Sequence, residues 1–338
     1  MVRLHVFWAS AGLLIVQALI ILYWCQRQNT PAWKPVMPSH SGSLQLTHPT
    51  HSRLSMLQIQ EERKLRIREV CADPGITFPG KTWSYDDIPE REFQTFFAID
   101  QRKIAYCAVA KVACTNWKRV LAALNVHKDP NKVSTGFGHS YFDKWKKGKH
   151  LSSFMKPRLK SYRSFLFIRH PFVRLISLFR NKFESPNSYL FNYAVKMVML
   201  YNNVSQAPES SEKMFADGIN PTFTHFIQYL LDPKNERGFT NIHWRPFHQT
   251  CHPCQIDYDF IGKMETMDED NSYLLNFLNI ETIFHFPSKY TNQSTTALIN
   301  KYFATVPISW RKKLYLLYEP DFLLFGYPKP NYLFDEGE

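Results

Sequence analysis

In the stretch 110-AKVACTNWK-118 a lysine is followed by small residues, a threonine and an asparagine. The run Lys103–Val109 before it reads as a strand, and Asn116–Leu124 after it as a helix. A strand that turns into a helix aims backbone N–H groups and the positive end of the helix dipole at one spot. Lys111 adds a full cation there, and Thr115 adds a hydroxyl. Such a set holds an anion of the phosphate kind. It is not a Walker loop, because the turn has no glycine and no G-x-x-x-x-G-K-[ST] pattern.

The stretch 164-SFLFIRHPFVRLISLFRNKF-183 repeats the arrangement. A β-prone run, Ser164–Ile168, delivers Arg169 at its end. His170-Pro171 then opens a helix, with proline near its favoured first position. Arg174 and Ser177 fall on one helix face. The guanidinium fork suits phosphate, and the serine offers a short hydroxyl. Two strand–cation–helix units in one chain predict a nucleotide with phosphates at both ends, one turn taking a 5′ group and the other a 3′ group.

Two histidines are candidates for a proton acceptor. His139 lies in 137-FGHSYF-142, where Gly136 and Gly138 read as a loop able to approach a ligand closely. His243 stands beside Trp244, a setting that suits acceptor stacking or support of the fold as well as catalysis. The cluster His243, His248, Cys251, His252 and Cys254 has some zinc character, but a single C-x-x-C is a weak metal signal and a disulfide is the simpler use of these cysteines. The runs 144-KWKKGKH-150 and 156-KPRLKSYR-163 interleave cations with aromatics, as a surface for an acidic glycan or for RNA would.

These residues need a framework to hold them. The chain has 338 residues, 44% of them hydrophobic, enough for one large core. Strand-like and helix-like pieces alternate. A third probable strand covers Phe260–Gly262, and the acidic cap Met267-Asp-Glu-Asp precedes an apolar helix at 273–279. That order predicts an α/β domain with a parallel sheet, whose ligands sit at the carboxyl ends of the strands. Residues 56–70 read as a helix opening the domain. With 41 Lys+Arg against 29 Asp+Glu, a formal +12, the chain expects anionic company.

Residues 4–24 are almost wholly apolar, about the length that crosses a bilayer core, and they lead into Tyr23, Trp24 and Arg27 with no small-x-small cleavage site. The sequons at Asn203 and Asn292 are usable only in the lumen. Together these predict a single-pass membrane protein with its bulk in the lumen, where some of the six cysteines pair. Residues 1–3 would be a cytoplasmic tail, 4–24 the signal-anchor, 25–60 a stem rich in proline and polar residues, and 61–338 the catalytic domain. Cys25 abuts the membrane and could link two stems.

Taken with 243-HWRPFHQTCHPCQIDYDFIGKMETMDED-270 and 318-YEPDFLLFGYPKP-330, the two turns resemble those of the Golgi carbohydrate sulfotransferases, most closely the chondroitin 4-O-sulfotransferase branch. The likeness runs from about Val70 to Pro330. It implies a P-loop-like sulfotransferase domain behind a transmembrane anchor, in a type II protein of the Golgi membrane. It implies transfer of a sulfuryl group from 3′-phosphoadenylyl sulfate to a sugar hydroxyl, O4 of GalNAc in this branch, with no metal. By this resemblance Ala110, Lys111, Val112, Ala113, Cys114, Thr115 and Asn116 hold the 5′-phosphosulfate. Arg169, His170, Pro171, Phe172, Val173, Arg174, Leu175, Ile176 and Ser177 form the 3′-phosphate element.

Lys111 is then the catalytic cation at the bridging oxygen, and a histidine is the base. His139 is favoured over His243, because such enzymes commonly take the base from the segment after the first phosphate-loop helix. The acceptor is a glycosaminoglycan of the chondroitin or dermatan type, or another GalNAc-containing glycan, and not a nucleic acid. The chain departs from the family at Ala110, where proline is usual, which leaves the turn less pre-organised. The rival reading is a membrane-tethered binder of acidic glycans without catalysis.

Overall fold

Among the described residues the fold is built on four short, largely buried strands. In the computed structural model the described residues are 50–202, 204–235, 241–281, 284 and 295–335. The strands β1 (Phe96–Ile99), β2 (Ile104–Cys107), β3 (Arg163–Ile168) and β4 (Phe260–Lys263) lie in that order in one sheet. β1 runs antiparallel to β2, while β2, β3 and β4 are parallel. The expected parallel sheet is therefore present. The antiparallel edge strand 96-FFAI-99 is an addition to that expectation.

A parallel pair needs a crossover, and helices supply it. The helix α1 (Thr50–Ala72) precedes the sheet, and α2 (Cys114–Asn125), α3 (Thr135–Lys146) and α4 (Leu151–Ser161) make the crossover. After β3 come α5 (Pro171–Lys182), α6 (Phe191–Tyr201), α7 (Ser211–Ala216), α8 (Phe223–Leu231) and α9 (Phe247–Cys251), then β4 and α10 (Met267–Phe277). The chain continues through α11 (Thr295–Phe303) and α12 (Ile308–Phe325). Because α1 is continuous from Thr50 to Ala72, the stem boundary expected at residue 60 falls inside a helix.

Two apolar cores result. One surrounds the sheet, where Trp117, Phe165 and Phe167 are fully buried. The other is made by α5, α6, α8, α11 and α12 around Phe172, Phe226, Trp244 and Tyr318. The strand–helix register fixes the site. Cys107 pairs with Leu166, so the turns that follow β2 and β3 leave neighbouring strands at the same edge of the sheet.

Among the described residues two disulfides, Cys71–Cys254 and Cys107–Cys251, link positions 183 and 144 residues apart. They agree with the expectation that lumenal cysteines pair, and both thiols of the C-x-x-C are consumed. The segment 4–24, Cys25, Asn203 and Asn292 lie outside the described residues. Among the described residues no helix is long and apolar enough to cross a membrane.

Candidate active site

The turn after β2 is strained. Lys111 and Ala113 both adopt positive φ, 72° and 60°. For a residue with a Cβ that conformation costs on the order of 1–2 kcal/mol, and it persists only where the surroundings impose it. Here the turn is pinned on one side by Cys107, tied to Cys251, and in the middle by Val112, which is fully buried. The left-handed Ala113 is the N-cap of α2 and provides no side-chain acceptor for the helix's first N–H groups. A helix N-terminus without a cap, reached through alternating backbone hand, is a concave set of amides suited to an anion. The residues present therefore fit a phosphate group.

Lys111 is half-buried in this turn. Burial lowers its pKa to about 8; the Lys182 and Arg169 cations push the same way, against the opposing Cys114. A lysine so placed gains most from an arriving anion.

The turn after β3 is built differently. Pro171 starts α5 and His170 is its N-cap. The His170 N–H donates to Glu265 Oε1 at 2.8 Å, and the His170 ring lies against Phe172, Phe322 and Tyr327. Burial lowers its pKa to about 4. His170 is thus a packing residue at the edge of the site. Pro171, Phe172, Val173, Leu175 and Ile176 are buried, while Arg169 and Ser177 are partly exposed.

Arg174 does not share the open face expected of it. It is fully buried. Its Nη2 donates to the carbonyls of Trp244 and Arg245 at 3.0 and 2.6 Å, and the guanidinium lies 4.6 Å from the centre of the Phe247 ring. Burial lowers its pKa, with Arg245 adding to the effect and Tyr318 and Asp321 opposing it.

The HWRPFHQTC and YEPDF stretches explain this. The Tyr318 hydroxyl donates to the same Trp244 carbonyl at 2.5 Å. The Asp321 carboxylate accepts from the N–H groups of Phe247 and His248 at 2.7 and 2.9 Å and meets His248 Nδ1 at 2.8 Å. Arg245 Nη1 lies 2.5 Å from Glu92 Oε2. Trp244 is fully buried, so it supports the fold and cannot stack on an acceptor. These stretches interlock around the backbone that carries His243.

The two histidines differ in what their nitrogens are doing. Gly136 and Gly138 are not in a loop; both lie in α3. A Cβ on Gly138 would sit 2.6 Å from the Arg119 backbone nitrogen, so this glycine lets α3 close onto α2. That approach brings His139 Nε2 to 3.2 Å from Thr115 Oγ1. Its pKa is lowered by burial and then by Lys118 and Lys182, against Asp143.

His243 is half-buried. Asn241 Oδ1 accepts from the His243 backbone N–H at 2.9 Å and lies 2.9 Å from His243 Nδ1. An oxygen already facing one N–H selects the tautomer with hydrogen on Nδ1, leaving Nε2 with its lone pair. Burial lowers its pKa to about 4, helped by Lys182, Lys118, Lys111 and Arg174. Asn241, Lys182, Glu265 and Asp321 were not picked out from the sequence. Only Asn241, two residues before His243, left a local signal, the side-chain turn that asparagine favours.

The lysine runs are partly turned inward. Lys146 donates to the Gln94 carbonyl and lies 4.2 Å from the Phe97 ring centre. Lys149 donates to the Trp145 carbonyl. Lys144 and Lys147 remain exposed.

The fold is thus an α/β domain in which two strand–turn–helix units leave adjacent parallel strands at one edge of the sheet, where such sheets bind ligands. The sulfotransferase family profile matches residues 94–328, and the chain belongs to that family. It is 44% identical to carbohydrate sulfotransferase 12 of Mus musculus over 304 residues, 85% of this chain and 73% of that protein. It is 34% identical to carbohydrate sulfotransferase 11 of Rattus norvegicus over 305 residues, 87% of this chain and 84% of that one. Carbohydrate sulfotransferase 8 of Homo sapiens is 31% identical over 312 residues, 87% and 70%. No solved structure matches the chain.

Proposed function

We propose that the chain transfers a sulfuryl group from 3′-phosphoadenylyl sulfate to O4 of GalNAc in chondroitin or a related glycan. The observation that carries this reading is the pair of turns leaving β2 and β3 side by side, one with Lys111 on a strained, uncapped helix start and the other with Arg169. The donor supplies an activated sulfuryl group on a nucleotide with a 5′ and a 3′ phosphate. The amides from Val112 to Asn116 with Thr115 would hold the 5′ end. Arg169 and Ser177 would hold the 3′ end.

Lys111 stabilises charge that develops on the leaving phosphate, which lowers the barrier more than it aids ground-state binding. His243 is the base. Its Nδ1 is fixed by Asn241, so Nε2 can take the proton of a sugar hydroxyl. His139 is the positioning residue for Thr115, because a threonine that donates to a phosphate accepts from His139 Nε2. His243 thus takes the place of His139, which chain position favours, as the proposed base. The two disulfides support work in an oxidising lumen, in keeping with a type II Golgi membrane protein.

The test is sulfate transfer from labelled donor to desulfated chondroitin, followed by disaccharide analysis. The expected product is 4-sulfated GalNAc. A product dominated by 6-sulfate overturns the regiochemistry, and no transfer to any glycan overturns the enzymatic reading.

A further inference from the structure

One aromatic beside the site has no packing role that accounts for it. Tyr189 lies in the link between α5 and α6 and is 67% exposed. Lys182, the last residue of α5, places Nζ 5.0 Å from the centre of its ring. The ring centre lies 5.3 Å from that of His243, edge-on. A tyrosine that is two-thirds in water, with a half-buried ammonium and the base candidate as its neighbours, resembles neither core nor ordinary surface.

Lys182 ends α5, five residues beyond Ser177 and so about 8 Å further along the helix axis. Its charge bears on Lys111, His139 and His243. Lys182 and His243 both lie against the Tyr189 ring, which puts this cation next to the base candidate.

We propose that Lys182 and Tyr189 form the acceptor subsite for an acidic sugar, a hexuronate ring next to the sugar that is sulfated, with its carboxylate on Lys182 and its apolar face on Tyr189. The inference rests on the sulfotransferase reading above and adds the part of the substrate that the site selects. Pyranose rings carry a face of C–H groups that lies well on an exposed aromatic ring, and that ring supplies contact area at little conformational cost. A half-buried ammonium pairs more strongly with a carboxylate than a solvated one does. If His243 Nε2 faces the reacting hydroxyl, the neighbouring sugar falls on Tyr189. A glycosaminoglycan that alternates amino sugar with uronate meets both requirements.

The experiment uses the full chain, chondroitin, and the same polymer with its carboxyl groups reduced to alcohols. Wild type should lose about tenfold in kcat/KM on the reduced polymer, mainly through KM, the size of one charge-assisted contact. Lys182→Gln should lose a similar factor on chondroitin and converge with wild type on the neutral polymer. Tyr189→Ala should lose on both polymers, and Tyr189→Phe should restore the contact. Affinity for adenosine 3′,5′-bisphosphate should be the same within twofold in Tyr189→Ala.

An equal loss in Lys182→Gln on both polymers would mean that the lysine serves the sulfuryl group, and the subsite is overturned. Should wild type transfer sulfate to neither polymer, the enzymatic reading fails separately. Direct titration with chondroitin oligosaccharides then decides the subsite: weaker binding by Lys182→Gln upholds it, and equal binding removes it.

Discussion

The turns after β2 and β3 have the same topology and opposite construction. The first exposes its machinery: two left-handed residues, no side-chain cap, and a lysine whose charge lacks full hydration. The second encloses much of its own. Its N-cap amide is bonded to Glu265, the His170 ring is packed among aromatics, and Arg174 is fully buried against backbone carbonyls of the HWRPF stretch. A sequence motif therefore mixes residues that meet the ligand with residues that fasten the motif to the rest of the fold. The residue types alone do not separate the two kinds; burial and partners do.

Variants break the comparison in different observables. The largest effect belongs to His243. His243→Ala should lower kcat by about 10²–10⁴, the range of a general base, with the protein folded and the donor bound. His139→Ala should act mainly through the donor's KM. Pre-steady-state and steady-state kinetics on both variants separate these outcomes, and a kcat collapse in His139→Ala with normal turnover in His243→Ala would return the base to α3.

Lys111→Ala comes next. It should cost about 10²–10³ in kcat, comparable with removal of one preorganised donor to developing charge, with adenosine 3′,5′-bisphosphate still bound. Arg174→Ala should do the reverse. It leaves the Arg245 carbonyl without that partner and opens space beside Phe247, so it should lower stability by about 3 kcal/mol in denaturant melts. Catalysis by the folded fraction should change far less.

The smallest effect is in pH. Burial holds His170 and His243 near 4 and His252 near 3, all below the unfolded histidine value of about 6.5. The unfolded chain then binds more protons across that window, so stability should rise with pH from about 4 to about 6.5 and be lost again on acidification. Thermal melts across this range check the sign. A flat profile would mean that these rings are hydrated.

The two turns were legible in the sequence because each is local. A β-prone run, a cation and a helix start lie within about twenty residues and announce themselves by pattern. The interlock behind them was not legible. Arg174 reaches Trp244 across 70 residues, and Tyr318 reaches the same carbonyl across 74. No periodicity encodes such a meeting. Disulfide connectivity was hidden for the same reason. The glycines around His139 misled by their usual meaning: they read as loop, whereas Gly138 serves close packing of two helices. The edge strand 96-FFAI-99 was missed because four apolar residues are too few to tell strand from buried coil.

On the proposed reading the paired turns recognise one nucleotide at both its phosphates. Calorimetric titration of wild type and Arg169→Ala with adenosine 3′,5′-bisphosphate and with adenosine 5′-monophosphate separates the two ends. Wild type should prefer the bisphosphate, and Arg169→Ala should lose about 1.5–3 kcal/mol of affinity for it while binding the monophosphate as before. An Arg169→Ala protein that keeps the full preference for the bisphosphate would contradict the claim.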